Sequence, residues 1–300
     1  MARNLRLQRS RSIGIALPLG HEVGQHLTDP FFLTLVGHVA DVLVMHDYDI
    51  TLTRVLPTDD RWLDRLVDSG RIDGLILIGQ SDQGATIERV ARRYPPLVVW
   101  GAALEEASYP TVGSDNIEGG RVAARHLLAL DRRKFAFIGN PELPEFGQRL
   151  DGFREVAATN GVHVEIVPVH MTLEAAAEGV AEWWAQRSHI DVDAIFAGSD
   201  VTAIGAIRAL SDVGVHVPTD VAVVGYDDIT LAAHTTPGLT TIRQDIAEGA
   251  RWLVEALFAR LNGEAARSRL LAPELIVRES TGSGRLSPAR SHRQGGDRSR

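Results

Sequence analysis

Residues 221–228 read VAVVGYDD. A short apolar run without polar interruption, closed by a glycine, an aromatic and two carboxylates, predicts a strand buried on both faces, as in a parallel α/β sheet. In open parallel sheets ligands bind just beyond the carboxyl ends of the strands, so Tyr226, Asp227 and Asp228 stand where a small polar molecule is held. An isolated acidic pair also serves as a strand-to-loop turn in which Asp caps the next segment. The rest of the chain has to decide between the two.

Outward from this run, similar apolar stretches recur. IGIAL from Ile13, ITLTRV from Ile50, GLILIG from Gly74, LVVWG from Leu97 and TVGSD from Thr111 form a first series, with helical periodicity between them, for example over residues 31–46 and 60–68. FAFIG from Phe135, VEIVPV from Val164, AIFAG from Ala194 and VAVVG from Val221 form a second, accompanied by helical stretches at 116–130, 149–160, 173–186 and 202–213. Two successive open-sheet units of about 100 to 130 residues predict two doubly wound, parallel-sheet α/β lobes whose strand ends open onto a shared cleft. Residues 239–242, a helical segment at 245–261 closed by Asn262 and Gly263, and a short strand near 275–279 are expected to cross back between the lobes. A chain that crosses several times makes a hinge that a ligand in the cleft can bias. The expected division is residues 13–114 with 245–272 in one lobe and 115–242 with 273–282 in the other. Residues 1–12 read as a linker, and the Ser, Arg and Gly content of 283–300 reads as a disordered tail.

Composition bounds the chemistry. At 300 residues and 44% hydrophobic the chain is long enough for two cores. Cys is absent, which excludes disulfides, thiolate metal sites and thiol catalysis. The eleven His residues show no tight ligand spacing: His21 and His26 fall in a polar loop, and His38 and His46 lie eight apart on one expected helix, so no metal is predicted. No run approaches the roughly 18 apolar residues of a membrane span, and no apolar segment follows the N-terminal arginines as in a signal peptide, so a cytoplasmic protein is expected. The formal net charge of −8 is unevenly spread. Residues 1–12 carry Arg3, Arg6, Arg9 and Arg11 with no acid, and residues 283–300 carry five Arg against Asp297. Setting those aside leaves 22 basic against 38 acidic residues over 13–282, a net of about −16, which repels a phosphate backbone. Any nucleic-acid contact is therefore expected from the basic arm or from something attached before it. The glycines at 119 and 120 do not form GxGxxG after a strand and no GxxxxGK[ST] occurs, so no dinucleotide, nucleoside triphosphate or other cofactor is predicted.

Seven pieces in order carry a family resemblance: PFF at 30–32, SDN with a following glycine at 114–119, RLDGF at 149–153, SDVTAIGAI from Ser199, PTDVAVVGYDDI from Pro218, LTTIRQD from Leu239 and LIVREST from Leu275. Across nearly all of residues 4–282 the chain resembles the effector-binding core of the LacI/GalR transcription regulators, itself similar to periplasmic sugar-binding proteins. The resemblance implies a cytoplasmic homodimer that responds to a small-molecule sugar and acts on operator DNA. It also implies that Leu5, nine residues before Gly14, is the hinge-helix leucine that wedges into the minor groove. No residues precede Met1 to form the family's helix-turn-helix, which reads as a truncated headpiece.

Sugars offer many hydroxyls and weakly apolar ring faces, so their sites need planar side chains and bidentate charged groups. By resemblance Asp227 accepts hydrogen bonds from the effector and Arg149, at the start of the RLDGF helix, donates to it. Phe31 and Phe32 open the first helix beside the cleft, where one of them stacks on a ring or both belong to the core. Trp100 ends the fourth strand as a second platform, whereas Trp183 and Trp184 are expected to pack. Ser199 stands where many family members have asparagine, and Gln244 matches a polar family residue near the effector. Asp200 is expected to cap the helix at Thr202, Asp245 to cap the helix that follows it, and Asp115 and Asn116 to cap theirs. Two other functions use the same fold or groups. A solute-binding protein for a transporter needs the export signal that is missing, and an enzyme using Asp227 and Asp228 as an acid/base pair needs carboxylates from separate elements, whereas neighbours in sequence diverge. No enzymatic activity is predicted.

Overall fold

A computed structural model describes residues 10–18, 28–55, 57, 59–105, 107–187 and 191–282. Leu5, His21, His26 and the tail from 283 lie outside the described residues.

One sheet holds β1 (Ser12–Pro18), β2 (Asp49–Val55), β3 (Gly74–Ile78), β4 (Leu97–Trp100), β5 (Thr111–Ser114) and β11 (Arg269–Leu271). They lie side by side in the order β2-β1-β3-β4-β5-β11, all parallel. Strand β3 shows why a continuous apolar run was required. Its Ile76 and Ile78 enter a cluster with Leu35, Leu43, Leu253 and Leu257 on one face, while Leu75 and Leu77 enter another with Trp62, Leu63 and Ile87 on the opposite face. Helices α1 (Pro30–Val44) and α8 (Ile246–Leu261) therefore cover the first face, and α2 (Trp62–Val67) and α3 (Gly84–Ala91) the second.

The second sheet repeats the plan with β6 (Phe135–Ile138), β7 (Val164–Val167), β8 (Ala194–Ala197), β9 (Ala222–Asp227), β10 (Thr240–Arg243) and β12 (Glu274–Ile276). The order is β7-β6-β8-β9-β10-β12, parallel except for β12, which runs antiparallel to β10. Helices α4 (Asn116–Ala129) and α5 (Pro144–Thr159) cover one face, α6 (Leu173–Ala185) and α7 (Asp200–Asp212) the other. α4 and α5 touch backbone to backbone: a Cβ at Gly120 would collide with the Arg149 carbonyl, and one at Gly152 with the Ile117 carbonyl. That approach fixes where Arg149 emerges.

The chain passes from sheet to sheet after β5, after β10 and between β11 and β12, so three crossings join the lobes. Strand β11 and helix α3 answer to no apolar run or helical stretch in the sequence reading. α5 begins at Pro144, so Arg149 sits on its second turn rather than at its start. Pro at the first helical position, where no N–H partner is needed, is the signal that sets this beginning. β9 continues through Tyr226 to Asp227 because Tyr226 is fully buried, its hydroxyl 2.7 Å from Ser114 Oγ.

Candidate functional site

A cavity of about 480 Å³ opens between the carboxyl ends of the two sheets. Phe31, Phe32 and Trp100 line it from the first lobe, and Arg149, Ser199 and Asp227 from the second. Six of the seven residues expected at the ligand thus share one hollow; the seventh, Gln244, lies behind it.

Asp227 terminates β9 with a φ of 116°, a conformation that costs a non-glycine residue strain and recurs at binding sites. The residue is 6% exposed, and its carboxylate accepts a 2.6 Å hydrogen bond from Gln244 Nε2, which holds it in place. Burial pushes the Asp227 carboxyl up to about 7, although the guanidinium of Arg149 pulls the other way. Arg149, also 6% exposed, is fixed on three sides. Its Nε donates to Asn116 Oδ1 at 2.9 Å, its Nη1 donates to the Gly198 carbonyl, and its guanidinium carbon lies 3.7 Å from the centroid of the Tyr226 ring. Nη1 stands 4.0 Å from Asp227 Oδ1, and Nη2 has no hydrogen-bond partner among the described residues. A donor edge and an acceptor carboxylate are therefore presented together toward the cavity, the pairing that neighbouring hydroxyls of a polyol match.

The facing wall is aromatic. Phe31 lies 5.7 Å from Phe32 and 5.8 Å from Trp100, centroid to centroid, with tilted rings. Phe32 is buried in the core of its lobe, while half-buried Phe31 packs against the cores of both lobes. Asp29 holds the start of α1 in place, accepting from Phe31 N at 2.8 Å, and burial raises its carboxyl above the usual range.

Several expectations need correction. Tyr226 and Asp228 do not face the ligand space. Tyr226 points down into the core under Arg149, and Asp228 turns away to meet Arg243 Nε at 2.8 Å and Arg278 Nη2 at 2.6 Å. Side chains alternate along a strand, so the neighbours of an inward Asp227 had to point elsewhere. Ser199, not Asp200, caps α7: extended backbone at φ −151° brings its Oγ to Thr202 N, and Thr202 Oγ1 returns the bond to Ser199 N. Asp200 is wholly buried beneath, accepting from Ile229 N and Thr241 Oγ1, and burial together with Asp227 raises its pKa. Asn116 supports Arg149, and only Asp115 caps α4, through Glu118 N. Asp245 caps α8 through Glu248 N, and Trp183 and Trp184 pack on the second lobe.

The cavity also holds residues that the sequence reading did not single out: Asp29, Asp82, Glu142, Glu145, Phe146 and His170. Asp29 was recoverable from its place just before Pro30, the pattern of a helix start. Glu145 follows Pro144 and marks the first turn of α5 in the same way. It reaches the backbone N–H groups of Gln80 and Ala102 in the other lobe, and burial raises its carboxyl. Among the described residues no group of His, Asp or Glu side chains is arranged to hold a metal ion, and no helix is long and apolar enough to cross a membrane.

Comparison with known proteins places this arrangement. A periplasmic binding protein-like domain family matches residues 124–281. The chain is 31% identical over 282 residues to the HTH-type transcriptional regulator CelR of Thermobifida fusca, spanning 90% of this chain and 82% of that protein. It is 29% identical over 295 residues to the HTH-type transcriptional repressor CytR of Escherichia coli K12, spanning 94% and 82%. Among solved structures it matches a CelR–cellobiose complex with a TM-score of 0.78 at 28% identity, covering 91% of this chain and 85% of that one. A LacI transcriptional regulator from a Rhodococcus species matches with a TM-score of 0.78 at 27% identity, covering 90% and 98%.

Proposed function

The chain belongs to the LacI family of transcriptional regulators as its effector-binding core, and we propose that the cleft between its lobes binds a saccharide that switches the regulator. The observation that carries this reading is the Arg149–Asp227 pair, 4.0 Å apart and facing a cavity whose opposite wall is Phe31 and Trp100 of the other lobe. A sugar bound there touches both lobes, with hydroxyls on the charged pair and a ring face on the aromatic wall. It therefore binds the closed arrangement better than the open one and shifts the population toward closure. Gln244 and Asn116 keep the two charged groups in register, and Ser199 completes the wall between them. The solved complex of CelR with cellobiose supports a saccharide as ligand class.

In this reading the protein works in the cytoplasm as a homodimer, without catalysis, metal or cofactor. Closure in two copies changes the spacing of their DNA-contacting segments on a two-fold operator, and Leu5 enters the minor groove. A coupling of about 1 to 3 kcal/mol between effector and DNA suffices. That the curated relatives are transcriptional regulators favours this reading over a transporter's solute-binding protein.

The test is thermal stability across a panel of mono- and disaccharides for the wild type, Asp227→Ala and Arg149→Ala. A ligand at about 100 times its dissociation constant stabilises the folded chain by about 2.7 kcal/mol, so the true effector raises the wild-type melting temperature visibly and raises neither variant's. A panel without a stabilising sugar, or variants that respond as the wild type does, refutes the assignment.

A further inference from the structure

Resting on that reading, the charges around the cavity fix the electrostatic class of the effector. We infer that the cleft takes an uncharged saccharide and rejects phosphorylated and acidic sugars, with Glu142 and Glu145 at the start of α5 imposing the selection.

An open α/β cleft normally holds anions at helix N-termini, where free backbone N–H groups and the positive end of the helix dipole converge. Here α5 is the natural place for one. It is 16 residues long, its N-cap Leu143 contributes no side-chain hydrogen bond, and Arg149 stands on the next turn facing the cavity. That combination of a bare helix start and a guanidinium suits a phosphate or a carboxylate. The chain instead places a glutamate on each side of Leu143 and Pro144. Glu142 is exposed at the mouth, and Glu145 occupies the first turn with its carboxyl extended to Gln80 and Ala102. Both line the cavity.

Three other helix starts around the cleft carry side-chain caps, whereas α3, whose N-cap Gln83 follows the cavity residue Asp82, carries none. Asp29 accepts from Phe31 N at α1, Ser199 caps α7, and Thr172 Oγ1 accepts from Ala175 N at α6, next to the cavity residue Met171. Asp227 stands 4.0 Å from Arg149, which among the described residues is the guanidinium that lines the hollow, and offsets part of its positive charge. An anionic group entering the hollow meets the carboxyl groups of Asp29 and Glu145 and, at the mouth, the exposed carboxylate of Glu142, each of which opposes a second negative charge. The hydroxyls of a neutral sugar meet the same carboxylates as acceptors, so the acids that repel an anion hold an uncharged polyol.

The experiment is calorimetric titration of the full chain with ribose, glucose, cellobiose and maltose, and with ribose 5-phosphate, glucose 6-phosphate, cellobionate and maltobionate as anionic counterparts. The expected result is that the sugar which binds does so roughly tenfold or more tightly than its anionic counterpart. In the Glu142→Gln/Glu145→Gln double variant the ratio of the two dissociation constants falls severalfold toward one, whatever happens to absolute affinity. The ratio separates loss of charge selection from general damage to the site. An anionic sugar that binds as well as its neutral form overturns the proposal, and so does a ratio unchanged in the double variant. Binding of none of the eight compounds overturns the saccharide reading on which the selection rests.

Discussion

Asp227 joins the strongest demands on the site in one residue. Its carboxyl is buried, its backbone sits at positive φ, and its partners are Gln244 and Arg149. With the folded pKa raised to about 7, above an unfolded value of about 3.9, the native chain holds a proton that the unfolded chain releases. The stability linked to this proton is fully present below about pH 4 and is lost as the pH rises to about 7. Asp227→Asn carries no such proton, so its melting temperature is expected to fall less than the wild type's between about pH 5 and 7; parallel curves would mean that Asp227 ionises normally. Effector hydroxyls donate to the ionised form, so sugar affinity should rise over the same interval. The position of Asp227 at the cavity was legible because the rule that ligands sit beyond strand ends depends only on the order of elements, whereas that of Arg149, on a helix, came from the family resemblance alone. Tyr226, Asp228 and Asp200 were not legible, because which face each side chain takes depends on β9 continuing two residues past Gly225 and on Ser199 taking the cap.

The elements most easily read from the sequence are those whose burial is uniform. Strands β3, β4, β6 and β8 are buried at every position and appear in the sequence as unbroken apolar runs. Strand β11 escaped notice because two of its three residues are exposed at the sheet edge, and α3 because eight residues starting with Gly84 give too little periodicity. Capping follows from local chemistry, and it divides structural from ligand roles at Ser199. Its hydroxyl lies 3.3 Å from Thr202 N and 3.1 Å from Thr202 Oγ1, which leaves it a limited share in binding although it lines the cavity. Ser199→Ala should therefore cost about 1 kcal/mol of folding stability in chemical denaturation, the usual loss for an N-cap. Effector affinity should fall far less than for Asp227→Ala. A variant with unchanged stability and strongly weakened binding would reverse that assignment and make Ser199 a primary ligand contact.

At the scale of the molecule, function depends on how the two lobes are held across the cleft, and here the first turns of α5 do two jobs. The helix presents Arg149 to the cavity, and beside it half-buried Gln148 Nε2 donates to the Ala103 carbonyl of the first lobe at 3.2 Å. Glu145 reaches the same loop, at the point where a Cβ on Gly101 would stand 3.0 Å from its Oε1. These polar contacts favour closure, and Gln148 makes its own without lining the hollow, so they set the fraction of chains already competent to bind. Apparent affinity scales with that fraction. A net hydrogen bond contributes about 1 kcal/mol, so Gln148→Ala should weaken effector binding by up to about fivefold while leaving each lobe's core intact. Small-angle scattering gives the deciding measurement. The unliganded variant should show a larger radius of gyration than the unliganded wild type, and saturating effector should bring both to the same value. Weaker binding without any change in unliganded size would place Gln148 in direct contact with the ligand and remove it from the hinge equilibrium.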